Sequence, residues 1–216
     1  MQLTRILAIR HGETAWNVGG RLQGHLDIPL NETGRLQAGR LAHALAGRES
    51  LDAIYSSDLS RARDTAQALA DATGAPLRLH TGLRERCFGD FQGQTFEQVT
   101  QAAPEAAEQW RRRVPDWAPP GRGGESLLVF QERVAQTVQA LVAENTEKLI
   151  AIVTHGGVLD VLYRAAARLG LQDARTWQLT NTAVNRLLWS PEGGLSLVGW
   201  ADVSHLEDAS LDESTT

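Results

Sequence analysis

The sequence predicts an α/β fold in three layers: a mostly parallel central sheet flanked by helices, with a small cap over the carboxyl edge of the sheet. Three observations carry this. Short apolar runs of strand length alternate with amphipathic helical stretches, the pattern of successive βαβ units. Two of those runs, residues 4–9 and 149–153, end alike, one in Arg10-His11-Gly12 and the other in Thr154-His155-Gly156-Gly157. The chain of 216 residues is long enough to bury a sizeable core as one domain.

The elements follow in order. Residues 4–9 (Thr-Arg-Ile-Leu-Ala-Ile) read as a short buried strand, followed by a polar, glycine-containing loop over about 12–30. Asn31 or Thr33 then caps a helix whose Ala38, Leu41, Ala42 and Leu45 form one apolar face. Residues 52–56 form a second short strand, and Ser57-Asp58 opens a helix that aligns Ala62, Ala66 and Leu69. Leu77 and Leu79 suggest a brief strand before Glu85. Residues 132–142 are helical, with Val134, Val138, Leu141 and Val142 on one side. The strand ending at Val153 leads into an apolar helix over about 158–169. Residues 186–189 and 195–198 read as late edge strands joined by a turn at Pro191, Gly193 and Gly194. Between residues 100 and 125 the chain holds Pro104, Pro115, Pro119 and Pro120 among Trp110, Trp117 and Arg111-Arg112-Arg113, too irregular for sheet. It is assigned to the cap, inserted at about 86–130 in a single domain over 1–201. Residues 202–216 are acidic and aperiodic, an expected loose tail.

Bulk composition narrows the function. Hydrophobic residues make up 42% and charged residues 22%, ordinary for a globular protein. With 21 basic and 26 acidic residues the formal charge is −5, which argues against broad nucleic-acid binding. A local arginine cluster can still dominate its own pocket, so an anionic small substrate stays open. The single cysteine, Cys87, rules out an internal disulfide and a cysteine-rich metal site. No stretch has the apolar length of a membrane span. Arg10 interrupts the first apolar run, which does not read as a secretory signal. The cytoplasm is the expected compartment.

Ligands of open α/β sheets gather outside the carboxyl ends of the strands. If the two strands that end in histidine are parallel neighbours, both imidazoles stand at one sheet edge, each beside a glycine that lets a ligand approach the backbone. A phosphoryl site needs donors for the equatorial oxygens, a nucleophile in line with the leaving group and an acid for the departing alkoxide. Arg10, His11 and His155 lie at strand ends. Arg61 sits just inside a helix start, where its charge opposes the dipole unless an anion is bound. Glu85 falls in a loop after a short strand. Taken singly, a histidine at a strand end is ordinarily a hydrogen-bonded structural residue, an arginine at a helix start a solvated one and Glu85 a surface carboxylate. The joint pattern is what points to chemistry.

Those residues resemble the histidine phosphatase superfamily, in its phosphoglycerate-mutase-like branch. Arg10-His11-Gly12-Glu13-Thr14 with Trp16-Asn17 resembles the opening signature, and Ser56-Ser57-Asp58-Leu59-Ser60-Arg61-Ala62 the second motif. Leu83-Arg84-Glu85 with Phe88-Gly89 and Gly93 resembles the third, Val153-Thr154-His155-Gly156-Gly157 the fourth, and residues 181–185 (Asn-Thr-Ala-Val-Asn) a late family segment. The resemblance implies that His11 is the nucleophile and forms a phosphohistidine. It implies that Arg10, Arg61 and His155 hold the phosphoryl oxygens, and that Glu85 donates the proton to the leaving group and later assists water. Asn17, Gln23, Gly24 and Gly156 would line the substrate pocket. His11 must be neutral to attack, and nearby arginines favour that form. Glu85 is expected to act as an acid only with a phosphate dianion in place.

Other chemistries are excluded or unsupported. A cysteine-dependent phosphatase needs an arginine six positions after its cysteine, and six after Cys87 stands Gly93. No G-x-x-x-x-G-K-[ST] occurs, and Gly19-Gly20 and residues 121–124 make no dinucleotide fingerprint. His25, His43, His80 and His205 are scattered and receive no ligand role. Catalysis is expected to need neither metal nor cofactor. Family mutases generally carry a longer, more basic segment between the acid and the second histidine, and Glu-Arg-x-Tyr-Gly where this chain has Glu85-Arg86-Cys87-Phe88-Gly89. Hydrolysis of small phosphomonoesters is therefore preferred over phosphoglycerate mutase activity. A catalytically silent phosphate-binding regulator is the third alternative, which nothing in the sequence supports. Arg111, Arg112 and Arg113 are either a solvated run or a substrate-reading edge. Phe88, Phe91, Trp110 and Trp117 are either cap core or an apolar wall. The expected partner is a small phosphorylated metabolite; a homodimer is compatible with the sequence, which does not fix the oligomeric state.

Overall fold

A computed structural model describes residues 2–207. Strand β1 (Thr4–Arg10) sends Ile6 and Ala8 into one buried cluster and Leu7 and Ile9 into another, as the two-residue strand period demands. A short helix, α1 (Ala15–Val18), and then α2 (Glu32–Ala46) follow; Asn31 caps α2 by accepting from the Gly34 N–H at 2.7 Å. Next come β2 (Ala53–Ser56), α3 (Ser60–Thr73) and β3 (Leu77–Leu79). The cap helices α4 (Phe96–Ala102) and α5 (Pro104–Arg111) precede α6 (Leu127–Ala143), β4 (Leu149–Thr154) and α7 (Gly156–Ala167). Two strands, β5 (Val184–Ser190) and β6 (Gly194–Asp202), close the sheet.

The strand order is β3-β2-β4-β1-β5-β6. The four strands from β3 to β1 are parallel; β5 and β6 are antiparallel additions at the other edge. β4 is buried throughout, as expected of a parallel strand covered on both faces. Phe130, Val134 and Val138 of α6 and Val158 and Leu159 of α7 pack on Ile6, Ala8, Ile150 and Ile152. On the opposite face Leu41 and Leu45 of α2 and Ala62, Ala66 and Leu69 of α3 pack on Leu7, Ile9, Ile54, Ala151 and Val153. The expected three-layer, mostly parallel architecture is what forms.

Some boundaries differ from the sequence reading. The proline-bearing segment after residue 100 is not wholly irregular, because Pro104 occupies the first turn of α5, where its missing N–H costs nothing. With α4 it encloses a separate cluster of Phe91, Val99 and Ala107, flanked by Phe88, Phe96, Trp110 and Trp117, so these aromatics are cap core. Helix α6 starts at Leu127 rather than 132, capped by Ser126, and its Phe130 lies in the main core. Regular structure also continues past the expected start of the tail. Asp202 ends β6 and pairs with Arg186 at 2.9 Å, and a 3₁₀ turn spans Ser204–Leu206. The rest of that tail, 208–216, lies outside the described residues.

Candidate active site

The register of β1 against β4 builds the site. Arg10 stands opposite Thr154, and the His11 N–H donates to the Thr154 carbonyl at 2.9 Å. The next residue on each strand is therefore a histidine at the same sheet edge. Their ring centroids are 5.2 Å apart, with planes inclined by 59°. Both are buried, at 3% and 0% exposure.

The state of His11 follows from its neighbours. Its Nδ1 lies 2.7 Å from the Gly12 carbonyl. A carbonyl can only accept, so Nδ1 carries the proton and Nε2 keeps its lone pair. Burial first, and then Arg10 and Arg61, hold the ring well below the ordinary histidine value of 6.5. Burial, more than the arginines on which the sequence reading relied, keeps it neutral. His155 is depressed for the same reason, with Arg61, His11 and Arg10 adding to the effect. Neither of its ring nitrogens has a partner in the protein.

Arg61 is the second residue of α3 and only 1% exposed. It donates to the Leu26 and Gly24 carbonyls, each at 2.8 Å, while its buried Nε donates to nothing. Burial lowers it to about 10, against the opposing pull of Glu85 and Asp27, so it remains a cation at neutral pH. Leu59 offers α3 no side-chain cap; the Asp27 carboxylate accepts from the Ser60 N–H at 2.7 Å instead. Arg10 donates to the Leu179 carbonyl and leaves its buried Nε unpartnered. Its guanidinium is also lowered, chiefly by burial, with Glu85 opposing.

Glu85 follows the 3₁₀ turn Thr81–Leu83, which is anchored where Thr154 donates to the Leu83 carbonyl at 2.8 Å. One Glu85 carboxylate oxygen accepts from the Arg86 N–H at 2.8 Å and the other from the Gly157 N–H at 3.1 Å. Arg133, reaching from α6, donates to the Gly82, Arg84 and Glu85 carbonyls at 2.8, 3.0 and 3.2 Å and fixes this loop. His11, His155, Arg10, Arg61 and Glu85, from four distant stretches, thus converge within electrostatic reach of one another.

The expected lining residues occupy varied positions. Asn17 accepts from the Thr14 N–H at 3.0 Å as part of a capping box, and Asn181 donates to the His11 carbonyl at 2.8 Å beside it. Gln23 is 8% exposed with a partnerless Oε1. Gly24 has φ +52°, and a Cβ there would meet Gln92 Oε1 at 2.1 Å; its carbonyl holds Arg61. Gly156 adjoins Arg10, its Cβ position lying 3.7 Å from Arg10 Nε.

Several residues have contacts that the sequence alone did not assign to them. His25 makes a 2.8 Å hydrogen bond from Nε2 to the Glu85 carbonyl. Gly157 provides the room for Glu85. Gly12 packs on Gly34 so closely that a Cβ on Gly12 would meet the Gly34 carbonyl oxygen at 2.5 Å. The arginine run divides: Arg111 and Arg112 pair with Glu108 at the surface, while Arg113 reaches Asp160 at 2.9 Å. Among the described residues no group of three histidine, cysteine or carboxylate side chains is placed to hold a metal ion. No described helix is long and apolar enough to cross a membrane.

A sheet edge that brings two neutral imidazoles, two guanidiniums and a carboxylate within electrostatic reach of one another is the arrangement of an α/β phosphatase. The chain belongs to the histidine phosphatase superfamily (branch 1), whose family model matches residues 6–203. It is 37% identical to a phosphoglycerate mutase-like protein 4 of Arabidopsis thaliana, over 97% of this chain and 90% of that one. It is 34% identical to a metal-independent phosphoserine phosphatase of the same plant, over 95% and 84%. A solved mycobacterial glucosyl-3-phosphoglycerate phosphatase superposes with a TM-score of 0.80 at 35% identity, over 93% of this chain and 99% of that one.

Proposed function

We propose that the protein hydrolyses small phosphomonoesters in two displacements through a phosphohistidine on His11. Nε2 of His11 attacks phosphorus and the bond to the ester oxygen breaks. Glu85, as the acid, gives a proton to the departing alkoxide. Water then attacks phosphorus, giving a proton to the Glu85 carboxylate as its oxygen bonds to phosphorus and the bond to Nε2 breaks, which frees inorganic phosphate and neutral His11. Arg10, Arg61 and His155 hold the phosphoryl oxygens through both steps, and Asn17, Gln23, Gly24 and Gly156 line the pocket. Donors fixed before the reaction stabilise the charge that develops in it.

One observation carries this reading: a buried, neutral His11 whose proton is committed to the Gly12 carbonyl, so that the free lone pair is on Nε2. Splitting one displacement into two is the benefit of such a nucleophile. The reading includes metal-free turnover, in line with the name of the phosphoserine phosphatase relative, and a cytoplasmic setting. Substrates of the class named for the relatives, phosphorylated hydroxy or amino acids, are the first to test. The test is a phosphate-release screen over phosphorylated metabolites with His11→Ala as the blank, together with trapping of labelled phosphate on His11. The mutase-like name of one relative keeps phosphoglycerate isomerisation as the second reading. Rapid 2-phosphoglycerate formation from 3-phosphoglycerate with a bisphosphate primer, and little free phosphate, would favour it.

A further inference from the structure

A cavity of about 560 Å³ adjoins the phosphoryl site and shares Arg10 and Gly156 with it. Its other walls come from the loop that leads to β5: Arg175, Trp177, Gln178 and Thr180. Three donors of residues that line this cavity lack acceptors. Arg10 Nε and the indole N–H of Trp177 are buried and unpartnered. Arg175 is exposed, with neither a hydrogen bond nor an ion pair among the described residues. Its field reaches the guanidiniums of Arg10 and Arg113 and disfavours both.

The wall is preformed. Trp177 is 8% exposed, stacked on Tyr163 at 4.1 Å and covered by the Arg164 guanidinium at 4.8 Å. The Gln178 carbonyl accepts from Trp200 at 2.8 Å, and the Leu179 carbonyl accepts from Arg10. Buried donors without acceptors cost stability unless a ligand supplies the acceptor. The unpartnered groups of this lining are all donors, two of them guanidiniums, and such a set calls for an oxyanion.

We propose that this cavity is a second-anion subsite: with the scissile phosphoryl group at His11, a carboxylate or second phosphate of the same substrate is received by Arg175 and the Trp177 N–H. This deepens the phosphatase reading above and rests on it. It makes Arg175 a specificity-determining residue for substrates that carry two anionic groups.

The test compares matched substrates that differ in one group. 3-Phosphoglycerate against glycerol 3-phosphate isolates a carboxylate, and fructose 1,6-bisphosphate against fructose 6-phosphate isolates a second phosphate. Wild-type protein is expected to favour the doubly anionic member of one pair by about tenfold or more in kcat/KM, the scale of one charge-assisted hydrogen bond. The favoured pair identifies the anion. Arg175→Ala abolishes the preference through KM, Arg175→Lys restores part of it, and hydrolysis of glycerol 3-phosphate changes less than about twofold. Binding of the same pairs to His11→Ala, which needs no turnover, is expected to show the same loss on Arg175→Ala. Equal loss on both members of each pair, or no wild-type preference in either pair, overturns the subsite. If wild-type protein binds with the preference yet releases phosphate from nothing, the subsite stands and the phosphatase reading falls.

Discussion

Glu85 accepts from the backbone N–H of Gly157 at 3.1 Å through one carboxylate oxygen, while its other oxygen lies only 2.1 Å from where a Cβ on Gly157 would stand. The proposed acid and the start of α7 are thus fitted to each other, and only a residue without a side chain allows it. The neighbouring Gly156 is under no such constraint, since a Cβ there would meet its nearest atom at 3.7 Å.

Gly157→Ala is therefore expected to displace the carboxylate and lower kcat by about 10²-fold, the lower end of what a positioned acid contributes. The loss is larger for alkyl phosphates than for p-nitrophenyl phosphate, whose leaving group needs no proton. Gly156→Ala changes kcat far less. Steady-state kinetics on both ester types check this; equal losses for the two glycines contradict it.

The two buried histidines set a pH dependence of stability. Both are held well below 6.5 in the fold, so the unfolded chain binds more protons once pH falls below about 6.5, and folding stability declines on acidification. Each contributes a slope of at most about 1.4 kcal/mol per pH unit between its two values. Urea titrations from pH 7.5 to 5 follow the slope, and His155→Asn reduces it. The acid limb of kcat/KM for His11 is also expected below 6.5, because the neutral ring is the proposed nucleophile.

Arg61, proposed to hold a phosphoryl oxygen, also braces the fold. Arg61→Ala leaves the Gly24 and Leu26 carbonyls without their donor, which costs about 1–3 kcal/mol. Arg61→Lys keeps the charge without the planar fork. Its inhibition constant for inorganic phosphate is expected to rise about tenfold, with a smaller stability loss. Thermal melts with and without phosphate separate the two effects.

Asp160 accepts from Arg113 and from Arg164, both at 2.9 Å, and the Arg164 side chain is wholly buried. Asp160→Asn leaves that cation uncompensated and is expected to cost about 3–5 kcal/mol. Arg113→Gln costs less, since that side chain is 26% exposed. Chemical denaturation of the two variants gives the order.

Chelation is the simplest check on metal-free turnover. Activity after exhaustive dialysis against EDTA is expected to match the untreated enzyme. Restoration by an added divalent ion would contradict it.

The sheet and the two histidines were legible because strand and chemistry are adjacent in sequence: an apolar run leads directly into Arg10-His11 and another into Thr154-His155. What pairs those strands is long-range, but parallel neighbours were the simplest outcome of βαβ alternation. Other features had no local signal. Pro104 reads as a breaker, yet begins a helix because its position in the turn needs no N–H. Arg111, Arg112 and Arg113 look alike in sequence; only the packing of α7 separates the last from the other two. The loop of Arg175 and Trp177 lies between motifs and acquires meaning only where Arg10 meets Leu179. The fit of Glu85 to Gly157 joins segments that no spacing rule connects.

Helix α7 carries the Glu85 contact at Gly157 in its first turn and Asp160, with its hold on Arg113, three residues further on, roughly 4.5 Å along its axis. The cap and the acid are therefore mounted on one short spar. Any load placed on the cap at Arg113 is thus borne by the same helix end that seats the Glu85 carboxylate.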